Sequence, residues 1–272
     1  PSITYEELTF SNSIKNHYVD KAPCLKEPFF ESKSFGGCYV QSYSSLQGFL
    51  ESKYLPKERQ KPPLDFSAEE KTPHTLPAGS ETGIFIHKLL EKLPLELCCN
   101  KEDVEGRLLL WLRHYISETP YASWENALLD ILKGAFCVPL TSPFATFSLM
   151  DVSEDKIFRE APFLMQGCSL LEEHVQAHDC FTGTIDMCFE YQEKLYLLDW
   201  KSNWLEEGYE DVSQALETHN YRLQASIYKE ALKKYVDKAC HRNFEDYFGG
   251  VFYVFLRGTF QKQGVVHFFP DN

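Results

Sequence analysis

Two short apolar segments, each carrying an aspartate, constrain the fold of this chain more than any other feature. They are residues 183–186 (GTID) and residues 197–201 (LLDWK). Because side chains on a strand alternate between its two faces, Asp199 and Lys201 are expected on one face and Trp200 on the other. The pattern therefore predicts two neighbouring buried strands that carry charged groups into the interior of the protein.

Carboxylates beside a lysine are the groups that metal-assisted cleavage of a phosphodiester requires. Asp186 and Asp199 can hold a hard divalent cation such as Mg²⁺, and Lys201 can contact water or phosphate. Asp199 lies in an apolar run, where a charge must be paired, hydrogen-bonded or bound to a metal. The alternative is an ion pair between Lys201 and either aspartate that only stabilises the sheet.

Four further side chains are candidates for the same site, and each has an ordinary alternative. Glu160 would add a third acid, or it is a surface strand residue. His87 lies at the edge of an apolar helical stripe and is by default a packing histidine, and its imidazole suits Mn²⁺ better than Mg²⁺. Gln224 and Tyr228 are spaced i, i+4 on one helix face. A buried glutamine needs partners, so it could bond the core backbone or orient Lys201 and a phosphate.

The remaining pattern is that of an α/β protein with an irregular beginning. Prolines interrupt residues 1–75, which we expect to be a tether or lead-in with a helix N-cap in residues 42–48, while residues 76–272 form the main domain. Helices are expected at about 80–93, 102–117, 123–133 and 220–238. Further strands are expected at 156–163 and 250–256, and a hairpin turn at 191–194.

Periodicity also predicts which way several side chains point. Asp186 should face away from its three apolar neighbours, which are Ile185, Met187 and Phe189. On helix 220–238 the tyrosine and apolar side chains share an inward face with Gln224. The outward face of that helix is expected to carry its basic residues, namely Arg222, Lys229 and Lys233.

Composition excludes several classes of protein. A hydrophobic content of 43% and an aromatic content of 15% are typical of a folded domain, and no run of about 18 uncharged apolar residues could span a membrane. The nine cysteines include no C-x-x-C pair, so we expect reduced thiols and no iron–sulfur cluster. The first residues lack the basic and apolar regions of a secretory signal, so we expect none. The sequence also has no phosphate-binding P-loop motif. We expect a cytoplasmic protein without an ATP motor.

The net charge of −13 argues against a simple nucleic-acid binder, because such proteins are usually basic. Metal-binding carboxylates would account for part of the negative charge. A partner subunit could supply the basic path for a DNA strand. The negative net charge therefore does not exclude an enzyme that acts on DNA.

Several motifs resemble the C-terminal nuclease domain of the RecB subunit of exodeoxyribonuclease V, in the PD-(D/E)xK, restriction-endonuclease-like superfamily. They are GIFIH at 83–87, RE at 159–160, GTID at 183–186, LDWKSNW at 198–204, YRLQASIY at 221–228 and FGGVFYVFLRG at 248–258. The likeness covers about residues 73–260 and implies an α/β fold with a mixed central sheet flanked by helices. Two departures are Ile185, where the superfamily's nominal motif has proline, and Trp200, where a tyrosine is expected.

The resemblance implies roles for the candidate residues. The ligands of Mg²⁺, for which Mn²⁺ or Ca²⁺ could substitute, would be His87, Asp186, Asp199 and the main-chain carbonyl of Trp200. Lys201 would position or deprotonate the attacking water. The site would be completed by Glu160, Gln224 and Tyr228.

The resemblance also implies a magnesium-dependent exodeoxyribonuclease acting on single- and double-stranded DNA in double-strand break repair and DNA degradation. Its partners would be the RecB helicase portion and the RecC and RecD subunits, in a bacterial cytoplasm and without a membrane. An inactive nuclease-like module that docks or guides DNA is one alternative, which the joint presence of the acids and the lysine disfavours. A free-standing restriction or repair endonuclease is another, disfavoured because no sequence-reading module is recognisable.

Overall fold

The computed structural model describes residues 40–42, 66–99, 104–166, 180–240 and 242–270. Its helices are α1 (Ser80–Lys92), α2 (Glu96–Cys99), α3 (Val104–Ile116), α4 (Glu125–Cys137), α5 (Ser213–Thr218), α6 (Tyr221–Ala239) and α7 (Phe244–Tyr247). Its strands are β1 (Val40–Ser42), β2 (Leu140–Thr141), β3 (Thr146–Phe147), β4 (Ile157–Gln166), β5 (Cys180–Tyr191), β6 (Lys194–Lys201), β7 (Phe248–Phe255) and β8 (Val265–Phe268).

A six-stranded mixed sheet forms the centre of the domain, in the order β1-β5-β6-β7-β8 with β4 also paired to β5. β4 runs antiparallel to β5 along one of its edges. The other edge of β5 is shared, since its first residues pair in parallel with β1 and its last residues pair antiparallel with β6. β6 is parallel to β7, and β7 is antiparallel to β8. A short ladder of β2 and β3 lies apart from this sheet.

Helices cover both faces of the sheet, and each face has its own apolar core. The first core packs α1, α3 and α4 on one face, where the sheet contributes Leu198 and Trp200. The second packs α5, α6 and α7 on the other, where it contributes Leu197 and Tyr253. Because the neighbours Leu197 and Leu198 enter opposite cores, β6 is a central strand buried on both faces.

The predicted fold class, a mixed sheet flanked by helices, is confirmed. The helix expected at 123–133 runs on to Cys137, and the strand expected at 156–163 runs on to Gln166. The hairpin turns at Gln192 and Glu193, whose φ values of 46° and 61° are typical of a two-residue hairpin loop. The strongly periodic elements were therefore predictable, with boundaries a few residues out.

The expectation that Asp186 faces away from three apolar neighbours is wrong for one of them. Met187 and Phe189 belong to the first core, but Ile185 belongs to the second. The change of face occurs at Asp186, opposite Glu160, which has a φ of 50° and whose rung is missing from the β4–β5 ladder. This local departure from extended backbone interrupts the alternation that the sequence alone suggests.

The expectation that Lys229 lines the outward face of its helix is also wrong. Lys229 is only 9% exposed, and its Nζ donates to the carbonyl oxygen of Pro270 at 3.2 Å. Chain from beyond β8 therefore lies over this part of α6, a contact that the helical periodicity of α6 does not reveal.

The segment before the main domain contributes to the sheet through β1. Arg257 also binds the carbonyl oxygens of Pro73 and Pro77, on either side of the boundary proposed at residue 75. That boundary stays a prediction, and the helix N-cap expected at 42–48 lies mostly outside the described residues. Within the described part of the chain, no helix is both long and apolar enough to span a membrane.

A buried carboxylate in the second core gives a testable stability prediction. Glu190 accepts from Tyr247 Oη at 2.6 Å and from Lys156 Nζ at 2.6 Å. Burial alone would raise the pKa of Glu190, but these two donors outweigh it and the pKa is lowered. The Tyr247→Phe variant should lose about 1–3 kcal/mol of unfolding free energy at neutral pH, because it removes one donor from this carboxylate.

The effect of Tyr247→Phe should shrink in acid. A carboxyl whose pKa is lowered by folding stabilises above its unfolded pKa, and this contribution is lost as the pH falls through its folded pKa. Urea unfolding at neutral and acidic pH measures the difference. Tyr191→Phe, which keeps a ring stacked on Phe147, is the matched control. An equal loss at both pH values would contradict the assignment.

Candidate active site

The candidate site lies where β5 and β6 separate. Their ladder ends with Met187 opposite Leu198, so Asp186 and Asp199 occupy the next rung, at the mouth of a fork. At this position the N–H of Trp200 donates to Oδ2 of Asp186 at 2.8 Å. A side chain thus links the two strands just where their main chains diverge.

Asp199 and Lys201 form a buried ion pair on the second-core face of β6. Lys201 Nζ lies 2.6 Å from Asp199 Oδ2, and the two side chains are 10% and 6% exposed. Burial raises the pKa of Asp199 to about 6 against the opposing effect of Lys201, and the charge of Asp186 adds to the rise. The expected alternation is confirmed, since the indole of Trp200 packs in the opposite core.

Gln224 and Tyr228 continue this network from α6. Lys201 Nζ donates to Gln224 Oε1 at 2.8 Å, and Gln224 Nε2 donates to Tyr228 Oη at 3.0 Å. The amide of Gln224 therefore connects two candidate residues through its two ends. This arrangement favours the orienting role for Gln224 over a bond to the core backbone.

Two tyrosines that the sequence did not single out surround the same lysine. Lys201 Nζ lies 3.9 Å from the ring centroid of Tyr221 and 4.8 Å from that of Tyr253. Tyr221 begins the YRLQASIY motif, which is the only sequence signal that could have drawn attention to it. Tyr253 comes from β7, beside Asp199 in the parallel ladder, and that pairing is not legible from the sequence.

α1 brings His87 to the fork. His87 Nδ1 is 3.5 Å from Asp186 Oδ2, and the two side chains are 32% and 14% exposed. Burial lowers the pKa of His87, but the hydrogen bond and the charge of Asp186 outweigh it, so the pKa is raised. The histidine is thus a partly exposed partner of the acid and not a packed core residue.

Two contacts fix α1 on the sheet. Arg159 Nη1 donates to the carbonyl oxygens of Leu90 and Leu93, where the helix ends and its carbonyls need partners. Near the other end, Gly83 approaches the segment after β6 so closely that a Cβ there would lie 2.6 Å from Ser202 Oγ. His87 follows Gly83 by one helical turn, so this close approach sets its distance from the fork.

Glu160 lies across β5 from the fork. It stands opposite Asp186 at the missing rung of the β4–β5 ladder. Burial, followed by the charge of Asp186, raises the pKa of Glu160 to about 7. With His87 it lines an open cleft of about 420 Å³, whose other lining residues are Ser80, Gly83, Ile84, Lys88, Glu91 and Ser202. The cleft is large enough to receive part of a nucleotide.

The side chains at the fork are chemically suited to bind a hard divalent cation. Asp186, Asp199 and Glu160 are neighbouring carboxylates, and the charge of Asp186 raises the pKa of both Asp199 and Glu160. Such crowded negative charge favours a cation. Among the described residues, however, no group of three or more His, Cys, Asp or Glu side chains is arranged as a ready metal site. Asp199 Oδ2 is paired with Lys201. Asp186 Oδ2 accepts from the N–H of Trp200 and faces His87 Nδ1. Convergence on one ion, including the carbonyl of Trp200, stays a prediction.

The packing of α1 makes a prediction about His87. Gly83→Ala should be relieved by rotation of Ser202, but Gly83→Val adds methyl groups that push α1 outward and displace His87. We expect Gly83→Val to lower the metal-dependent DNA cleavage that the resemblance implies by about tenfold or more, since small misplacements of site groups are costly.

Cleavage rates and thermal unfolding of both variants and of Gly83→Ala/Ser202→Ala measure this effect. The double variant removes the oxygen that meets the new Cβ, so it should cleave at the wild-type rate. Full activity of Gly83→Val would show that the approach of α1 does not set the position of His87.

The mixed sheet flanked by helices, with acids and a lysine at the fork between two strands, defines the class as a restriction-endonuclease-like fold. No protein-family model matches the chain. Curated relatives do, and they carry one name, RecBCD enzyme subunit RecB.

RecB of Chlamydia pneumoniae is 30% identical in an alignment 235 residues long, which covers 84% of this chain and 21% of that protein. RecB of Escherichia coli K12 is 30% identical in an alignment of 212, which covers 69% of this chain and 18% of that protein. RecB of Buchnera aphidicola from Acyrthosiphon pisum is 26% identical in an alignment of 291, gaps included, which covers 92% of this chain and 24% of that protein.

The chain therefore belongs to the RecB family, and the family resemblance expected from its motifs is confirmed. It spans about a fifth of the length of the curated relatives it matches, which is consistent with a C-terminal domain of RecB.

Proposed function

We propose that this chain is a Mg²⁺-dependent DNA nuclease domain that hydrolyses phosphodiester bonds. The observation that carries the proposal is the buried Lys201, paired with Asp199 and Gln224 at the fork where Asp186 and His87 meet. A buried lysine and acid are not needed to stabilise the sheet, because hydrophobic residues in the same positions would stabilise it equally well. Their burial beside an open cleft is typical of a reacting centre.

The residues that would hold the metal are His87, Asp186, Asp199 and the carbonyl of Trp200, with Glu160 nearby. When bound, the ion would polarise a phosphate oxygen and lower the pKa of a water molecule. Mn²⁺ or Ca²⁺ could occupy the same ligands, and the imidazole suits Mn²⁺ in particular.

Lys201 acts in this proposal as an electrostatic group and not as a base. Asp199 Oδ2 at 2.6 Å and the two tyrosine faces stabilise its ammonium, and an ammonium can donate hydrogen bonds but cannot accept a proton. Its part is to hold the attacking water in line and to offset the negative charge that develops on the phosphorus centre. Gln224 and Tyr228 keep it oriented.

The names of the relatives support a proposal about the partners and the DNA. Those relatives are subunits of a RecBCD enzyme, so we propose that the domain works with a RecB helicase portion and with RecC and RecD, in the bacterial cytoplasm. Its DNA would be single- and double-stranded, and its role would lie in double-strand break repair and DNA degradation. The net charge of −13 supports a shared DNA path, because the basic surface would come from the partners.

Digestion of linear and circular DNA, single- and double-stranded, by the purified chain tests this proposal. We expect cleavage of linear DNA with Mg²⁺, complete loss with EDTA, and recovery when excess Mg²⁺ is restored. Cleavage of circular DNA would favour an endonuclease instead. No cleavage with any divalent ion, alone or with the rest of the complex, would favour the inactive docking or DNA-guiding module.

A further inference from the structure

The ammonium of Lys201 is enclosed more fully than an ion pair requires. Asp199 Oδ2 lies at 2.6 Å and Gln224 Oε1 at 2.8 Å, and the faces of Tyr221 and Tyr253 lie at 3.9 and 4.8 Å. Both rings are buried, at 8% and 0% exposure, so little water screens their attraction for the charge. Four protein groups therefore determine where this one cation sits.

The two rings are themselves fixed by their hydroxyl groups. Tyr221 Oη donates to Asn203 Oδ1 at 3.0 Å, and the Asn203 amide nitrogen lies 3.4 Å from His219 Nε2. Tyr253 Oη donates to the carbonyl oxygen of Tyr221 at 2.7 Å and is 3.1 Å from Gln224 Oε1. Because the hydroxyls are engaged elsewhere, the rings meet Lys201 through their faces.

Attraction to a ring face leaves hydrogen-bonding capacity for a substrate. An ammonium has three N–H donors, and Asp199 and Gln224 account for two of them. A further carboxylate in place of the rings would take the third donor and would repel a phosphate. Aromatic faces hold the charge without adding a net negative charge beside the DNA.

We propose that Tyr221 and Tyr253 form an aromatic box that positions the Lys201 ammonium by cation–π attraction and leaves one N–H for the attacking water or the scissile phosphate. They are positioning residues and act through Lys201. The inference rests on the proposed nuclease function, and it adds a role for two residues that the motif analysis did not assign.

The aromatic box can be tested by weakening the negative potential of the ring face in steps while the shape of the ring is kept. Tyr221→Phe keeps the face and should retain most of the activity, whereas Tyr221→Leu should lower kcat about tenfold. Replacing Tyr221 by mono-, di- and trifluorophenylalanine should lower kcat step by step relative to Tyr221→Phe, with KM for DNA unchanged. Fluorination weakens the negative potential of the ring face and therefore the attraction to Lys201. If Tyr221 had a purely structural role, kcat would be the same throughout the fluorinated series.

Phe144 provides the matched control, because its ring lies 4.4 Å from Lys194 Nζ and belongs to the short β2–β3 region away from the fork. Fluorinated phenylalanine at that position should leave cleavage unchanged. A flat kcat series at Tyr221 would overturn the aromatic box even if the wild-type chain cleaves DNA.

A second readout does not depend on activity. Protons above an aromatic face resonate upfield, so the ammonium protons of Lys201 should be shifted upfield in metal-free protein and should move downfield in Tyr221→Leu. Normal shifts in the wild type would reject the aromatic box. If the ammonium shifts of the wild type and of Tyr221→Leu are as expected but no DNA is cleaved, the contact of Lys201 with the aromatic box stands and the nuclease proposal fails.

Discussion

Replacing Lys201 by methionine should reduce DNA cleavage about 10³-fold while the domain still folds, as expected when a group that stabilises transition-state charge is removed. Methionine fills much of the same volume between the two tyrosine rings but carries no charge. Asp199 then loses its cation, and because burial already raises its pKa to about 6, it can take up a proton instead. Initial cleavage rates with saturating Mg²⁺, together with thermal unfolding, measure both consequences.

Two further variants sharpen this result. Lys201→Arg keeps the charge, but its planar guanidinium does not fit where a compact ammonium lies between Asp199 and Gln224, so cleavage should remain strongly reduced. Lys233→Met on α6, which breaks an exposed pair with Glu245 and a cation–π contact with Phe244 away from Lys201, should cleave normally. Wild-type cleavage by Lys201→Met would remove the lysine from the proposed mechanism.

Replacing Arg257 by methionine should cost about 3–5 kcal/mol of unfolding free energy, the largest stability effect we expect. The Arg257 side chain is 1% exposed, and its guanidinium donates to five main-chain carbonyl oxygens. These belong to Pro73, His74, Leu76, Pro77 and Ser202. Without the guanidinium, several buried acceptors lose their donor, and each costs about 1–3 kcal/mol.

The same substitution should also reduce cleavage, because Ser202 directly follows Lys201. Urea unfolding gives the stability, and the cleavage rate well below the unfolding transition gives the effect on the site. Arg113→Met, which breaks an exposed bidentate pair with Glu125, is the matched control and should change stability far less. Equal stability losses in the two variants would show that the carbonyls around Arg257 find other partners.

Local pattern predicted much of the fold. α1, α6 and the β5–β6 hairpin have strong periodicity or a definite turn, and the structure has all three. The burial of Asp199 and Lys201 on one face followed from strand alternation alone. The break in alternation at Asp186 was not predictable, because it depends on the unusual backbone of Glu160 in a neighbouring strand.

The surroundings of the site needed tertiary information. Tyr253 reaches Lys201 because β7 lies beside β6, and the buried Lys229 contacts the Pro270 carbonyl and the Phe248 ring, both distant in sequence. Arg257 meets carbonyls 180 and 181 positions earlier in the chain, which no local pattern encodes. Sequence therefore identified the candidate reacting groups, whereas the groups that hold them in place could be identified only from the packing.

The metal site is tested most directly by anomalous diffraction from crystals of the chain grown with Mn²⁺. We predict one strong peak bounded by His87, Asp186 and Asp199, with the carbonyl of Trp200 as a further ligand and Lys201 Nζ close by. The peak should vanish in Asp186→Asn crystals. No peak at the fork at saturating Mn²⁺, or a peak bound by other residues only, would contradict the proposed site.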